Sequence, residues 1–485
     1  MKVEPVNSDD NPKKVANSLG WTIPSVMKLL KEGNLYFKTI QEKTGHTIFR
    51  INLGVEAFAL CDSQSATAVF DYSKVTKDDG FGRLKFNKNL TGQIRPSIFC
   101  NGEVHERYRK FLMDVFRATS VDYLIKVTNE AVEKHFSLWE KSYTGAGIAK
   151  EWEMDILRLC SDIVHRAILG GEISSEASHN WLMGILKKKR SALGVKTKFF
   201  SKAIVGYAIL TNGIKESPHY QSMIKLADKR SVSEEEALNN ILFSILFNYY
   251  GGCSAAFRTC AARISILDEN IKSELIEDIK SAIDKYGGLT GQALCQMRKL
   301  HSFVLENLRM SSPVNLIFGR AVEDLMIKSN TGTYKIPKGK LMVANLFWAH
   351  RDTRVFDDPL TFQALRFFNN PDLKNYLYWE AGPFSKDQCE KTHQCPGRNI
   401  AIPSIMLFSA YLLLQGDYQL GSEPQWTGKK IRRLGTPDEI ITLKKFKYKS
   451  DVTVSLPEAV LNSKLKYDEM TAENNNSQCP VDSEA

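Results

Sequence analysis

One junction restricts this chain more than any other. Residues 395–414 read CPGRNIAIPSIMLFSAYLLL, so a Cys-Pro-Gly turn opens directly onto a long apolar run. A run of that length and composition is a helix that has to be buried in a sizeable core. Pro and Gly break regular structure just before it. Cys395 therefore stands at the N-terminus of a buried helix, where unpaired N–H groups and the helix dipole favour a thiolate. A thiolate so placed can be the axial ligand of a haem iron, and Gly397 lets the backbone come close to a flat macrocycle. A small buried cysteine is the competing reading of an isolated Cys-x-Gly. Cys389 is the rival thiol, without the following x-Gly and without the helix.

The remainder of the chain has to supply that core. Its 485 residues are 43% hydrophobic, enough for one large enzyme domain. The net charge of +10 is spread in local clusters such as KKKR (187–190) and KKFKYK (444–449), with no aromatic-interleaved basic stripe, so a nucleic-acid partner is not expected. Nine dispersed cysteines, an odd number in a long chain, argue against a disulfide framework and for a reducing compartment. The N-terminal MKVEPVNSDDNPKKVANSLGW lacks the apolar stretch of a signal peptide, and no transmembrane segment is expected. The expected location is the cytoplasm. The basic and apolar stretch 187–210 suggests peripheral membrane contact, although an ordinary amphipathic helix of the domain is the plainer reading.

Periodicity predicts a mainly α chain with small peripheral β-sheets. Residues 47–61 (TIFRINLGVEAFALC) alternate as an early strand pair, and most segments from 103 to 310 have helical period. Strands return over 324–347, with turns at Thr331-Gly332 and Pro337. DEIITLKKFKYKS followed by VTVSL reads as a C-terminal hairpin. The expected organisation is a flexible segment over 1–20, a single catalytic domain over 21–460 and a disordered tail over 466–485.

Further features stand in a fixed order before Cys395. LENLRMSSP carries Glu306 and Arg309 three residues apart on one helix face, where they can pair. Arg366 follows, then the cysteine loop. This order resembles the cytochrome P-450 superfamily. The resemblance implies that fold, haem b as cofactor, Cys395 as axial ligand of its iron, and Glu306, Arg309 and Arg366 as a buried structural charge network. It further implies cationic contacts for the haem propionates: His105 and Arg109, one turn apart in HERYR, Arg320 in FGRA, and His393 just before the ligand.

The segment FNYYGG (247–252) places Asn248 and two glycines in an apolar helix. The stretch GGCSAAF that includes the glycines offers Ser254 and Ala255 and holds neither an acid nor a threonine, and proton delivery needs a titratable group within reach. The segment resembles FN-x-x-GG of the clan of allene oxide synthases, hydroperoxide lyases, divinyl ether synthases and epoxyalcohol synthases. VFDYSKVTKDDGF, NLTGQIR, IPKGKLMV and THQCPGRN are similar to that clan's versions as well. The resemblance implies a linoleate- or arachidonate-derived fatty acid hydroperoxide as substrate and no need for dioxygen, NADPH or a reductase. Asn248 would orient the peroxide, and the O–O bond would break homolytically to an alkoxyl radical that closes onto the neighbouring double bond. Hydroxyl rebound gives an epoxyalcohol, hydrogen loss an allene oxide, and fragmentation aldehydes. Leu84, counted back from LTGQIR, takes the place of an allene oxide synthase phenylalanine, so epoxyalcohol synthase or hydroperoxide lyase is the expected activity. Allene oxide synthase, a reductase-dependent monooxygenase and a non-catalytic haem- or lipid-binding protein are the alternatives.

Overall fold

The apolar run after Cys395 forms the helix Arg398–Gln415, in which every residue except Asn399 is buried. In this computed structural model the described residues are 23–467 and 469, apart from 53–54, 78–93, 144–146, 187–197, 380 and 431–434. A helix apolar on all sides has to be surrounded. Helices Val121–Tyr143, Ser254–Ile264, Glu269–Lys285 and Arg298–Met310 enclose it. Phe408 stacks on Phe257 with ring centroids 4.4 Å apart, and Tyr411 donates to Asn129 Oδ1 at 2.8 Å. Among the described residues no helix is long and apolar enough to cross a membrane.

The strands lie to the side of this helical body. β1 (Ile48–Asn52) and β2 (Glu56–Leu60) form an antiparallel pair. With β3 (Val75–Thr76), β5 (Leu316–Ala321) and β8 (Leu341–Asn345) they make a five-stranded sheet in the order β1-β2-β8-β5-β3. β6 (Leu325–Ser329) and β7 (Gly332–Ile336) form a hairpin through Asn330-Thr331. β4 (Lys150–Glu151), β9 (Gly416–Leu420) and β10 (Thr442–Tyr448) form the third sheet.

Two expectations are corrected here. β10 pairs with β9 and β4, and VTVSL forms no strand. β9 leaves directly from the end of the long helix and presents its edge first. The later segment is held by other bonds, with Ser455 O accepting from Leu289 N and Val452 O from the Gln415 amide. The tail also starts later than expected. Lys466 N donates to Ala118 O at 2.9 Å, and Tyr467, 1% exposed, donates its hydroxyl to Ile168 O at 2.8 Å. The packed chain thus continues beyond 460, because a buried aromatic anchors this end. Residues 1–20 and most of 466–485 lie outside the described residues.

The segment that bears Asn248 departs from α geometry. Helix Glu234–Leu242 begins with a capping box, Ser233 with Glu236, and continues into a π-helix, Phe243–Cys253, before α geometry resumes at Ser254. The side chain of Asn240 fixes the entry by accepting from Ser97 N at 2.8 Å and donating to Glu236 O at 2.9 Å. The two glycines weaken the α preference at the exit. π geometry widens the turn to i→i+5 and is often found at functional positions.

Candidate active site

Between the π-helix and the loop that carries Cys395 lies a cavity, the kind of concave apolar place where ligands and cofactors bind. Its walls are largely apolar, with Phe116, Leu308, Val314, Leu377, Ile400 and Ile405 among them. Asn248, Cys395 and Gly397 all line it, so residues separated by about a third of the chain face one space.

The cysteine loop is held through its backbone. Arg109 Nε donates to Cys389 O at 2.7 Å and Nη1 to Gln394 O at 2.5 Å. Arg398 Nη1 donates to Phe384 O at 2.8 Å and to Lys386 O at 3.0 Å, and the Gln388 amide donates to Cys395 O. Gly382 is required by close packing, since a Cβ there would stand 2.4 Å from Gln394 Nε2. Gly397 is the N-cap of the long helix, which leaves Cys395 at its mouth. Cys389 is not among the lining residues. Cys253 is a second thiol in the wall, but burial raises its pKa well above the ordinary thiol value and keeps it protonated.

Beside this loop is a cluster of buried basic side chains. His105 and His393 stack with centroids 3.7 Å apart, and Tyr72 covers the other side of His393 at 4.5 Å. His105 Nδ1 lies 2.9 Å from Ser97 O and Nε2 lies 3.0 Å from Thr392 O. Burial lowers the pKa of His105, and the neutral ring has one N–H to donate to one of these carbonyls. Lys77, 4% exposed, donates to Val69 O at 3.1 Å and Phe318 O at 2.8 Å, and burial lowers its pKa to about 7. His393 is pushed down to about 2, first by burial and then by the charges of His105, Lys77 and Arg109.

A buried guanidinium, a buried lysine and two imidazole N–H donors close together suit an anion. A flat macrocycle bearing two carboxylates against a thiol-bearing loop meets that requirement, so the residues present fit haem. Lys77 was not singled out by sequence reasoning. Its signal was present inside the quoted VFDYSKVTKDDGF, where a lysine directly follows a strand-like Val-Thr. Arg320 lies on β5 opposite Thr76, donates to Gly339 O at 2.6 Å, and is not among the residues lining the cavity.

On the opposite wall, the Asn248 amide has no hydrogen-bond partner among the described residues. A Cβ built on Gly252 meets nothing within 4 Å, which leaves space in front of the helix. Tyr249 donates to Ser404 Oγ at 2.6 Å and ties this helix to the one after Cys395. The Ser254 hydroxyl is spent on its own helix, donating to Tyr250 O. Leu84 lies outside the described residues.

Glu306, Arg309 and Arg366 meet beneath the cavity. Arg309 grips Glu306 through Nε at 2.7 Å and Nη2 at 2.8 Å, and Arg366 Nε reaches both carboxylate oxygens at 3.2 Å. The guanidinium of Arg309 also donates to His350 O and Pro359 O, and that of Arg366 to Asp357 O. The network thereby ties the helix Arg298–Met310 to the irregular segment 350–366.

The family model of cytochrome P-450 matches residues 266–430. An allene oxide synthase of Parthenium argentatum is 26% identical over 432 residues, covering 80% of this chain and 89% of the relative. A divinyl ether synthase of Solanum lycopersicum is 25% identical over 397 residues, covering 75% of this chain and 83% of the relative. Among solved structures, a retinoic acid-bound cyanobacterial cytochrome P-450 superposes with a TM-score of 0.66 at 18% identity, covering 87% of this chain and 96% of that one. Cytochrome P-450SP alpha in complex with (R)-ibuprophen gives 0.66 at 14% identity, with coverages of 87% and 98%. These likenesses to solved structures establish the fold.

Proposed function

For this chain, a remote member of the cytochrome P-450 superfamily similar to allene oxide and divinyl ether synthases, we propose that it converts polyunsaturated fatty acid hydroperoxides by homolytic O–O cleavage, without dioxygen, NADPH or a reductase. The observation that carries this reading is the uncommitted Asn248 amide, which faces the same cavity as Cys395, while the Ser254 hydroxyl that follows the glycines is already spent on the backbone. Names of relatives point the same way.

Cys395 would hold the haem, with Gly397 and Gly252 leaving room for it, Arg109 and Lys77 supplying positive charge and His105 and His393 ring N–H groups for its carboxylates. When bound, haem with a thiolate ligand supplies the one-electron chemistry that splits a peroxide bond. The protein's own part is positioning. Asn248 can accept the peroxide O–H through its carbonyl and donate through its amide, which orients the O–O bond without transferring a proton. The apolar walls exclude water and receive the acyl chain. Small differences in wall contacts decide the fate of the carbon radical, since about 1.4 kcal/mol changes a product ratio tenfold.

Epoxyalcohol formation or chain cleavage is the outcome we favour. A second reading, allene oxide or divinyl ether formation, is supported by the names of the relatives. Incubation of haem-loaded protein with a linoleate hydroperoxide, anaerobically and without NADPH, separates them by mass spectrometry. Epoxyalcohols or short aldehydes support the first outcome, and ketols from an allene oxide or a divinyl ether support the second. Intact hydroperoxide overturns both.

A further inference from the structure

Most buried helical hydroxyls in the walls around this cavity close on the carbonyl four residues earlier. Ser404 donates to Ile400 O at 2.7 Å, Ser409 to Ile405 O at 2.8 Å, Thr259 to Ala255 O at 2.7 Å, and Ser254 to Tyr250 O. Ser244 does not. It is 8% exposed, lines the cavity, and has no side-chain hydrogen bond among the described residues. Its hydroxyl is thus left to meet whatever occupies the cavity instead of closing on its own helix.

Its place on the helix indicates the use. Residues 244, 248 and 252 of the π-helix all line the cavity, so Ser244 and Asn248 belong to one stripe, about a turn apart. Phe243 and Phe247 stack at 4.4 Å beside this stripe and stiffen it. The two uncommitted polar side chains open into an otherwise apolar wall. A hydroperoxide has two oxygens with lone pairs and one O–H. One amide does not saturate it, whereas an amide and a hydroxyl a turn apart can.

We propose that Ser244 is a specificity-determining contact, donating its hydroxyl to an oxygen carried on the acyl chain, and that it makes the cavity select oxygenated over plain fatty acids. This inference rests on the hydroperoxide reading above. Ser244 does no chemistry; it sets which part of the chain is presented to Asn248.

The probe is a hydroxy-linoleate, the unreactive alcohol corresponding to the hydroperoxide, compared with linoleate itself. Binding of each to the haem-loaded full-length protein is measured by calorimetry. Wild type is expected to prefer the hydroxy acid. Ser244→Val should lower that preference by about fivefold, the value of one neutral hydrogen bond, while linoleate affinity stays. Ser244→Thr, of the same shape as Val but with the hydroxyl, should retain the preference. Ser244→Ala, which removes a single oxygen, provides the same comparison if Val does not fold. An undiminished preference in the Val or Ala protein, or an equal loss in Thr and Val, overturns the inference. Hydroperoxide consumption by wild type is measured on the same preparation. If it is present while Ser244→Val keeps the preference, the Ser244 inference alone fails. If it is absent, the hydroperoxide reading fails and takes this inference with it.

Discussion

Changing Glu306 to Gln should remove a large share of this protein's stability, and the network explains the size of the effect. Glu306 is 0% exposed and accepts from Arg309 at 2.7 and 2.8 Å, from Arg366 at 3.2 Å, and from Gln363 N at 2.9 Å. It is also the carboxylate that acts on Arg263 and Arg351, whose pKa values burial and the charge of Arg309 already lower to about 10 and about 9. Glutamine leaves those guanidinium groups without their counter-charge and turns one acceptor oxygen into a donor facing other donors. Breaking a buried pair on one side costs about 3–5 kcal/mol, and two lost charge-assisted bonds at about 1.5–3 kcal/mol each give a similar figure. Against a total stability of about 5–15 kcal/mol, that is a large share. The assay is urea unfolding followed by circular dichroism, with haem content measured in parallel. Glu32→Gln in the exposed pair with Lys28, 3.7 Å apart, is the control and should cost at most about 0.5 kcal/mol. A Glu306→Gln loss below about 1 kcal/mol would refute the reasoning.

Acid should destabilise the fold early. Burial lowers His165 to about 4 and His301 and His350 to about 3. The unfolded chain takes up protons near pH 6.5 that the folded chain refuses, so stability is greatest above that pH and falls as pH drops towards the folded values. Each histidine contributes up to about 1.4 kcal/mol per pH unit; urea midpoints that stay flat down to about pH 5 would contradict this. Lys77→Met should weaken haem binding to the apoprotein by about tenfold, the value of one charge-assisted bond; unchanged affinity in a haem titration would remove Lys77 from the cation cluster's role. Gly252→Leu should fold, because a Cβ meets nothing within 4 Å, yet lose haem; full haem content with a native melting curve would show that the space in front of Gly252 serves something else.

The long helix, the strand pair at 47–61 and the turns at Thr331-Gly332 and Pro337 were legible because each rests on local periodicity or on a turn residue. Glu306 and Arg309 were legible as a pair by helical spacing alone. The C-terminal pairing was not, because the partner of β10 is set by where the long helix ends rather than by the strand's own sequence. Tyr467 was lost for a similar reason: one anchoring aromatic inside a polar tail carries no period. Lys77 and Ser244 were missed because what distinguishes them is burial and the absence of an expected partner, properties that exist only once the chain is packed. The glycines raised the right question about the helix, and the π geometry is the part of the answer that composition could not supply.

The central claim is that an uncommitted amide opposite a thiol-held haem lets this chain consume a hydroperoxide unaided. The most direct test follows loss of the conjugated-diene hydroperoxide under anaerobic conditions without NADPH, comparing haem-loaded wild type with Asn248→Leu. Wild type should consume the substrate, and Asn248→Leu, with an unchanged haem-thiolate spectrum, should do so at least about tenfold more slowly, the scale of lost orientation at a reacting bond. Equal rates for the two proteins, or no consumption by wild type until a reductase is added, would contradict the account.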